Sequence, residues 1–430
     1  MRTIMPGSKN EKLFNYKTLK EMKRIITIYF LLLVAVGSYG QQFEESVSEN
    51  EYTGKPKVSV GADFALQFQF LNHHADSTLI PLGTGINVPT ANLNLNAVIA
   101  DGIEVNLTTY LSSRHHLDTW VKGGYLLIDK LPFIKSNFIT NAMNYLTFKV
   151  GVMEINYGDA HFRRSDNGHV INNMFVGNYI MDAFTTAPAF EALYRNKGIL
   201  LMGAVTSGTL DPALVGYNSF SHTYTPYNIA NELAFYWKAG YDKQINDDLR
   251  IRATLSGYHA SNNHFGSLYE GDRTGSRYYL VMNLQNNSPD DVDPSKNHLS
   301  GTWGPGFTDR DNSYMLNLFT KYKGLEFFGT CETVSGTPAF GGASFKYTQY
   351  ALEGLFHFGK DEKFFGGLRY NYVKNSTDNS VNRVQAGAGW YLVPNVLVKA
   401  EYVNQSYNNF VMYGNNAGFK GVMLESTISF

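Results

Sequence analysis

One pattern limits this chain more than any other: apolar and polar residues alternate with a period of two, over segments of about ten residues, along most of its length. Period two sends successive side chains to opposite faces of a strand. In KVSVGADFALQFQF, Val58, Val60, Ala62, Phe64, Leu66, Phe68 and Phe70 share one face, and Ser59, Asp63, Gln67 and Gln69 share the other. GIEVNLTTYL repeats the pattern, opposing Ile103, Val105, Leu107 and Leu111 to Glu104, Asn106, Thr108 and Tyr110. VLVKAEYV repeats it again, with Val396, Val398, Ala400 and Tyr402 against Lys399 and Glu401. Sixteen such segments can be placed, near residues 57–71, 91–100, 102–112, 121–129, 145–156, 189–196, 198–206, 231–242, 249–260, 313–322, 325–335, 346–358, 364–374, 383–392, 396–406 and 419–430.

The links between them have a parity. Those after even-numbered segments are mostly tight and rich in turn formers: Asp101-Gly102, Asn196-Lys197, 244–248, Lys323-Gly324, 359–363 and Val393-Pro394-Asn395. Those after odd-numbered segments are mostly long and polar, as in 72–90, 157–188, 207–230 and 407–418. Short turns at one end and long loops at the other describe an up-and-down barrel, and in hydrocarbon only a closed barrel pairs every strand without exposing an edge. The expected fold is all-β, a transmembrane up-and-down antiparallel β-barrel of about 16 strands over residues 57–430, with both termini on the periplasmic side. Two stretches strain the parity. Residues 130–144 are long for a turn, and FIKSNFITNAMN within them suits a short helix. SRYYLVMNLQ, residues 276–285, has the pattern of a strand but is placed inside one long external excursion, 261–312; if it and a further strand crossed, the count would be 18.

Ahead of the barrel, KRIITIYFLLLVAVGSYGQQ joins a basic region to an apolar run, Ile25 to Val36, and to the small residues Ser38 and Gly40. That is the order of a secretory signal peptide, expected over residues 1–40, with 1–21 an extension if Met22 is the start, followed by a polar lead, 41–56. No later apolar run reaches the roughly 18 residues of a membrane helix. Aromatic residues make up 14% of the chain and charged residues only 17%, a balance that suits a lipid–water interface. The chain has 36 Lys plus Arg and 37 Asp plus Glu, of which residues 1–40 hold 7 and 2; the remainder, 29 against 35, carries a formal charge of −6. No nucleic acid is expected as a partner of such a chain. The single cysteine, Cys331, excludes an internal disulfide framework and a Cys-rich metal site. The chain ends GVMLESTISF, with Val422, Leu424, Ile428 and Phe430 on one face. This resembles the terminal signature by which the assembly machinery of Gram-negative bacteria recognises outer-membrane barrels, and implies that machinery, reached through Phe430, and outer-membrane lipid as partners.

Catalytic patterns are sparse. The chain has no GxxxxGK[ST], no GxSxG and no HExxH. The pairs His73-His74 and His115-His116 fall in expected loops, where adjacent rings point apart and seldom share a metal. His161 and His169, near Asp159 and Asp166, lack a third ligand at a characteristic spacing. No enzyme activity, no cofactor and no metal is expected. Period two also marks the charges that face the lumen. Lys149, Lys238, Arg250, Arg252, Lys321, Arg369, Arg383 and Lys399 are the expected cations; Asp63, Glu104, Glu232, Glu326, Glu332, Glu353, Glu401 and Glu425 are the expected anions. The balance argues against a single-sign ring of strong ion selectivity.

A barrel of about sixteen strands is wide enough for an aqueous channel, so selectivity requires a constriction, commonly an inward loop. The third external loop, 157–188, is the candidate. Its opening, GDAHFRRSDNG, offers Asp159, His161, Arg163, Arg164 and Asp166 as the constriction, and its continuation, MFVGNYIMDAFTTAP, is apolar enough to anchor on a wall. Here GGYLLIDK followed by YLTFKVGVMEINYGDAHFRRSDNG resembles the phosphate-selective porin family, porins O and P and their relatives. The resemblance implies a sixteen-stranded diffusion channel that forms homotrimers. It does not carry over phosphate specificity, because the balanced lumen departs from that family's arginine ladder and lysine-rich constriction. The expectation is a passive outer-membrane porin for small hydrophilic solutes or ions, with a barrel-embedded hydrolase and a non-conducting structural or adhesive barrel as the rivals.

Overall fold

Backbone pairing follows the alternation strand by strand. The computed structural model describes residues 43–45 and 52–430, apart from 113, 116–117, 166–168, 209–214, 219, 227–232, 262–267, 270, 272–273 and 339–341. The expected signal peptide (1–40), His116, Asp166 and Glu232 lie outside the described residues.

Sixteen long strands close one antiparallel ring. They are β1 (Lys57–His74), β2 (Thr90–Ala100), β3 (Ile103–Leu111), β4 (Trp120–Ile128), β5 (Leu146–Glu154), β6 (Thr186–Asn196), β7 (Ile199–Thr206) and β8 (Ala234–Gln244). They continue as β9 (Leu249–Ser261), β10 (Arg310–Tyr322), β11 (Leu325–Thr337), β12 (Phe345–Phe358), β13 (Phe364–Asn375), β14 (Ser380–Val393), β15 (Val396–Asn408) and β16 (Ala417–Ser429). Each expected segment is one of these strands, with its ends moved by a few residues. Neighbours in sequence pair, and β16 returns to β1 with Asp63 opposite Ser429 and His74 opposite Gly418, which closes the ring. Phe430 completes the seam: its backbone N–H donates to Ala62 O at 3.0 Å and its carbonyl accepts from Ala62 N at 2.9 Å. A short piece, Gly85–Ile86, adds to β1, and a small hairpin, Val215–Asn218 with Thr223–Pro226, lies between β7 and β8.

Alternation in sequence becomes outside and inside in space. Along β1, Phe64, Leu66, Phe68 and Phe70 are exposed on the outer face, whereas Ala65, Gln67, Gln69 and Leu71 are no more than 4% exposed. Apolar surface facing water costs about 25 cal/mol per Å², so this outer face is one for lipid. Near the turn end Phe356, Phe358, Phe364 and Trp390 form a row of stacked rings, with centroids 5.9, 5.6 and 5.8 Å apart in succession. Such a girdle suits the headgroup level of a bilayer. Among the described residues no helix is long and apolar enough to cross a membrane.

The turn end is compact. Between β6 and β7, Lys197 and Gly198 both take positive φ, 51° and 94°, the primed geometry that matches strand twist. The long link after β4 contains the expected helix, α1 (Asn137–Met143), whose N-cap Ser136 accepts from Ile139 N. SRYYLVMNLQ is not a strand: it lies within the link 262–309, and the ring has sixteen strands rather than eighteen. Positive φ at Arg277, Leu280 and Met282 (77°, 62° and 62°) breaks any extended path through it. Its apolar run has another cause, because buried Tyr278, Tyr279, Val281 and Met282 are packed inside the ring.

The described parts of two links, 155–165 with 169–185 and much of 274–309, therefore fold inward. Val176, Ile180, Met181, Tyr278 and Val281 from these links join Leu193, Leu200 and Met202 of the wall in one buried apolar cluster. Much of the interior is a packed core rather than water.

Candidate functional site

The third loop begins as β5 ends, and its first charged residue is taken up at once. Asp159 accepts from Arg252 Nε and Nη2, both at 2.8 Å, from Thr254 Oγ1 at 2.7 Å and from Lys238 Nζ at 3.0 Å. Burial by itself would raise its carboxyl, but Lys238 and Arg252 outweigh burial and hold it well below the usual carboxylate range. His161 sits between Glu154, bonded through Nδ1, and Asn156 Oδ1, 3.0 Å from Nε2. Burial pushes this ring below its ordinary pKa, against the raising pull of Glu154.

The two arginines part company. Arg163 Nη2 donates to Glu326 of β11 at 2.8 Å and to Glu353 of β12 at 3.0 Å, with its guanidinium over the Phe328 ring. Arg164 turns back on its own loop, forking onto Asp182 and lying over Phe184. Both are buried. The pairing of Arg163 and Arg164 is thus with Glu326, Glu353 and Asp182, and Asp159 belongs to Lys238 and Arg252.

Beyond the arginines the loop runs against the opposite wall, where its backbone is held by wall side chains. Val176 N and Gly177 N donate to Glu401 Oε2 at 2.7 and 3.3 Å. Ile180 N donates to Asn371 Oδ1 at 2.7 Å and Met181 N to Gln349 Oε1 at 3.2 Å. Arg369 donates to Gly177 O at 2.7 Å, Arg383 to Asn178 O, and Lys399 to Asn173 O and Phe175 O at 2.6 and 2.9 Å. Nearer the turn end Arg250 forks onto Asp242, Lys321 donates to Glu362 at 2.6 Å, and Lys149 lies 3.1 Å from Glu45. Glu104 is buried on the inner face of β3.

Burial is uneven around the ring. Arg252, Glu326, Glu353, Arg369, Arg383, Lys399 and Glu401 are at most 4% exposed. Asn94, Asn96, Asn106 and Thr108, on the inner faces of β2 and β3, keep partial exposure. Sequence reasoning missed the amides Gln349, Asn371, Gln385 and Gln405, although one amide at an inward position of each of four successive strands is a readable signal. It also missed Phe43, Glu44 and Glu45, which lie inside the ring on Arg252, Lys149 and Tyr125.

No protein-family model and no curated protein matches this chain. Solved structures do match. The anion-selective porin from Comamonas acidovorans superposes with a TM-score of 0.50 at 10% identity, over 87% of this chain and 100% of that one. The outer membrane channel DcaP of Acinetobacter baumannii gives 0.48 at 11% identity, over 88% of this chain and 99% of its own. OmpT of Vibrio cholerae gives 0.48 at 12% identity, over 90% and 100%. What is common at such identities is the fold, the closed barrel of Gram-negative outer membranes. That likeness is one of fold, and it does not single out the phosphate-selective porins.

Proposed function

We propose that this chain is a porin of a Gram-negative outer membrane, a non-enzymatic channel that passes small hydrophilic solutes or ions by passive diffusion, with the third loop as its constriction. The observation that supports it is the seating of that loop: Arg163 reaches Glu326 and Glu353, and Val176 to Met181 are bonded to β12, β13 and β15. On this reading the charges of Asp159, His161, Arg163 and Arg164 clamp the loop, and solutes pass beside the partly exposed amides and hydroxyl of β2 and β3. Weak, uncharged contacts of that kind let a solute enter and leave. Homotrimer formation, lipid contact along the outer face and recognition of Phe430 by the assembly machinery belong to the same proposal, as does kinship with the phosphate-selective porins.

The test is conductance of the purified protein in planar bilayers. Discrete steps of small, steady conductance are expected, and inserted, folded protein that carries no current overturns the reading. One observation favours a second reading, a non-conducting structural barrel: the buried apolar cluster inside the ring. Absence of current decides for it.

A further inference from the structure

Residues 43–45 lie inside the ring at the turn end, ahead of β1 and apart from its ladder. The Phe43 ring is 3% exposed and meets Phe162 of the third loop and Phe319 of β10 edge-on, at 5.7 and 5.4 Å. The guanidiniums of Arg252 and Arg250 lie 4.2 and 5.2 Å from its centroid. Glu44 takes a two-pronged bond from Arg252, Nη2 to Oε1 at 2.5 Å and Nη1 to Oε2 at 2.8 Å, and its Oε1 is 3.5 Å from Lys238 Nζ. Glu45 accepts from Tyr125 Oη at 2.7 Å and faces Lys149.

The charged side chains that meet around Glu44 are linked to one another. Lys238, Arg250 and Arg252 meet Asp159, Asp242 and Glu44, three cations and three carboxylates in mutual contact. Five of the six are fixed on the ring or its inward loop; Glu44 alone arrives on the segment ahead of β1. If Glu44 leaves, Arg252 and Lys238 lose the carboxylate that bridges them, and a buried charge short of a partner is costly. A carboxylate restores the balance, because its two oxygens match the planar fork that Arg252 presents.

We propose that Phe43–Glu45 is a plug whose Glu44 occupies a binding site for small carboxylate anions, formed by Arg252 and Lys238 at the turn-end mouth of the channel. The gating half rests on the porin reading above; the binding half stands without it. Withdrawal of the plug opens the mouth and exposes the site, and an anionic solute competes with Glu44 for Arg252.

Two measurements separate these halves. Folded protein in detergent, checked by its heat-modifiable gel mobility, is titrated calorimetrically with sodium acetate. A variant lacking residues 43–45 binds acetate at least tenfold more tightly than wild type, and Arg252→Gln in that background abolishes binding. Glu44→Gln, which keeps the segment, gives an intermediate affinity. Equal affinity in wild type and the deletion variant, or no binding in either, overturns the site. In planar bilayers the deletion raises conductance severalfold and moves the reversal potential under a salt gradient toward anions. A conducting protein in which neither changes overturns the plug. If wild type and the deletion variant both carry no current, the porin reading and the gating half fall together, while the titration decides the anion site by itself.

Discussion

Glu353 is the residue on which the seating of the third loop can be tested most sharply. Its carboxylate is 1% exposed and accepts from Arg163 at 3.0 Å, from Tyr179 Oη at 2.6 Å and from Arg369 Nε at 2.8 Å, so it ties two loop residues to β12 and β13. Glu353→Ala removes three charge-assisted bonds while Glu326 still accepts from Arg163. Removing one partner of a buried ion pair costs about 3–5 kcal/mol. At about 1.4 kcal/mol per factor of ten, the balance between seated and unseated loop moves by roughly 10²–10⁴. The assay is hydrogen exchange followed by mass spectrometry over residues 176–181, where Glu401, Asn371 and Gln349 hold the amides of Val176, Gly177, Ile180 and Met181. Exchange there should accelerate by about that factor, with the strands unaffected. Glu353→Gln keeps the shape and loses only charge, and should accelerate exchange by roughly tenfold, in line with about 1.5 kcal/mol for a weakened charged bond. A folded Glu353→Ala barrel with unchanged exchange over 176–181 refutes the argument that this carboxylate holds the loop.

Three further outcomes are expected. Arg163→Glu with Arg164→Glu sets new carboxylates against Glu326, Glu353 and Asp182; it should shift the reversal potential toward cations and raise conductance, and an unmoved reversal potential would separate this loop from the constriction. Gly177→Val should unseat the loop, because a Cβ at Gly177 would stand 2.0 Å from the Tyr278 hydroxyl, whereas Gly203→Ala, with nothing within 4 Å, should be neutral; overpacking of this kind costs about 1–3 kcal/mol, and protease sensitivity of the loops reads it out. For pH, the lowered pKa of His161 follows from burial. As pH falls through about 6.5 the unfolded chain takes up a proton that the folded ring does not, so stability declines until the folded ring itself titrates. His161→Gln should flatten that decline in urea unfolding between roughly pH 8 and 5, and an unchanged slope would count against it.

The ring was legible because period two is a local property. Each strand of an outer-membrane barrel must alternate by itself, since one face meets lipid and the other does not, and KVSVGADFALQFQF carries that division without reference to any partner. The interior was legible only in part. GDAHFRRSDNGHVINN marks a loop with confined charge, and MFVGNYIMDAFTTAP marks one that packs, yet the partners of Arg163 stand 163 and 190 residues away. No spacing rule reaches so far. SRYYLVMNLQ shows the opposite limit: its apolar run is real, but it records contact with an inner wall and the third loop, and left-handed residues at Arg277, Leu280 and Met282 cannot be read from residue type. Phe43, Glu44 and Glu45 left no periodic mark at all, because three residues are too few to carry one.

The balanced charges of the inner wall have a physical reason that the two signs alone did not disclose. A loop that enters a barrel in irregular conformation has no ladder of its own, so its backbone N–H and C=O groups must find partners elsewhere. The wall supplies both kinds. Arg369, Arg383 and Lys399 donate to the carbonyls of Gly177, Asn178, Asn173 and Phe175, and Glu401, Asn371 and Gln349 accept from the amides of Val176, Gly177, Ile180 and Met181. A wall of one sign would satisfy half of those groups and leave the other half buried without partners, at about 1–3 kcal/mol each. Donors and acceptors in similar number are therefore what an inward loop demands of the strands it crosses. On β13–β15 the charge pattern encodes the seat of the third loop before it encodes anything about a solute, and a search for selectivity belongs where that pattern stops, at Asn94, Asn96, Asn106 and Thr108 and at the mouth held by Glu44.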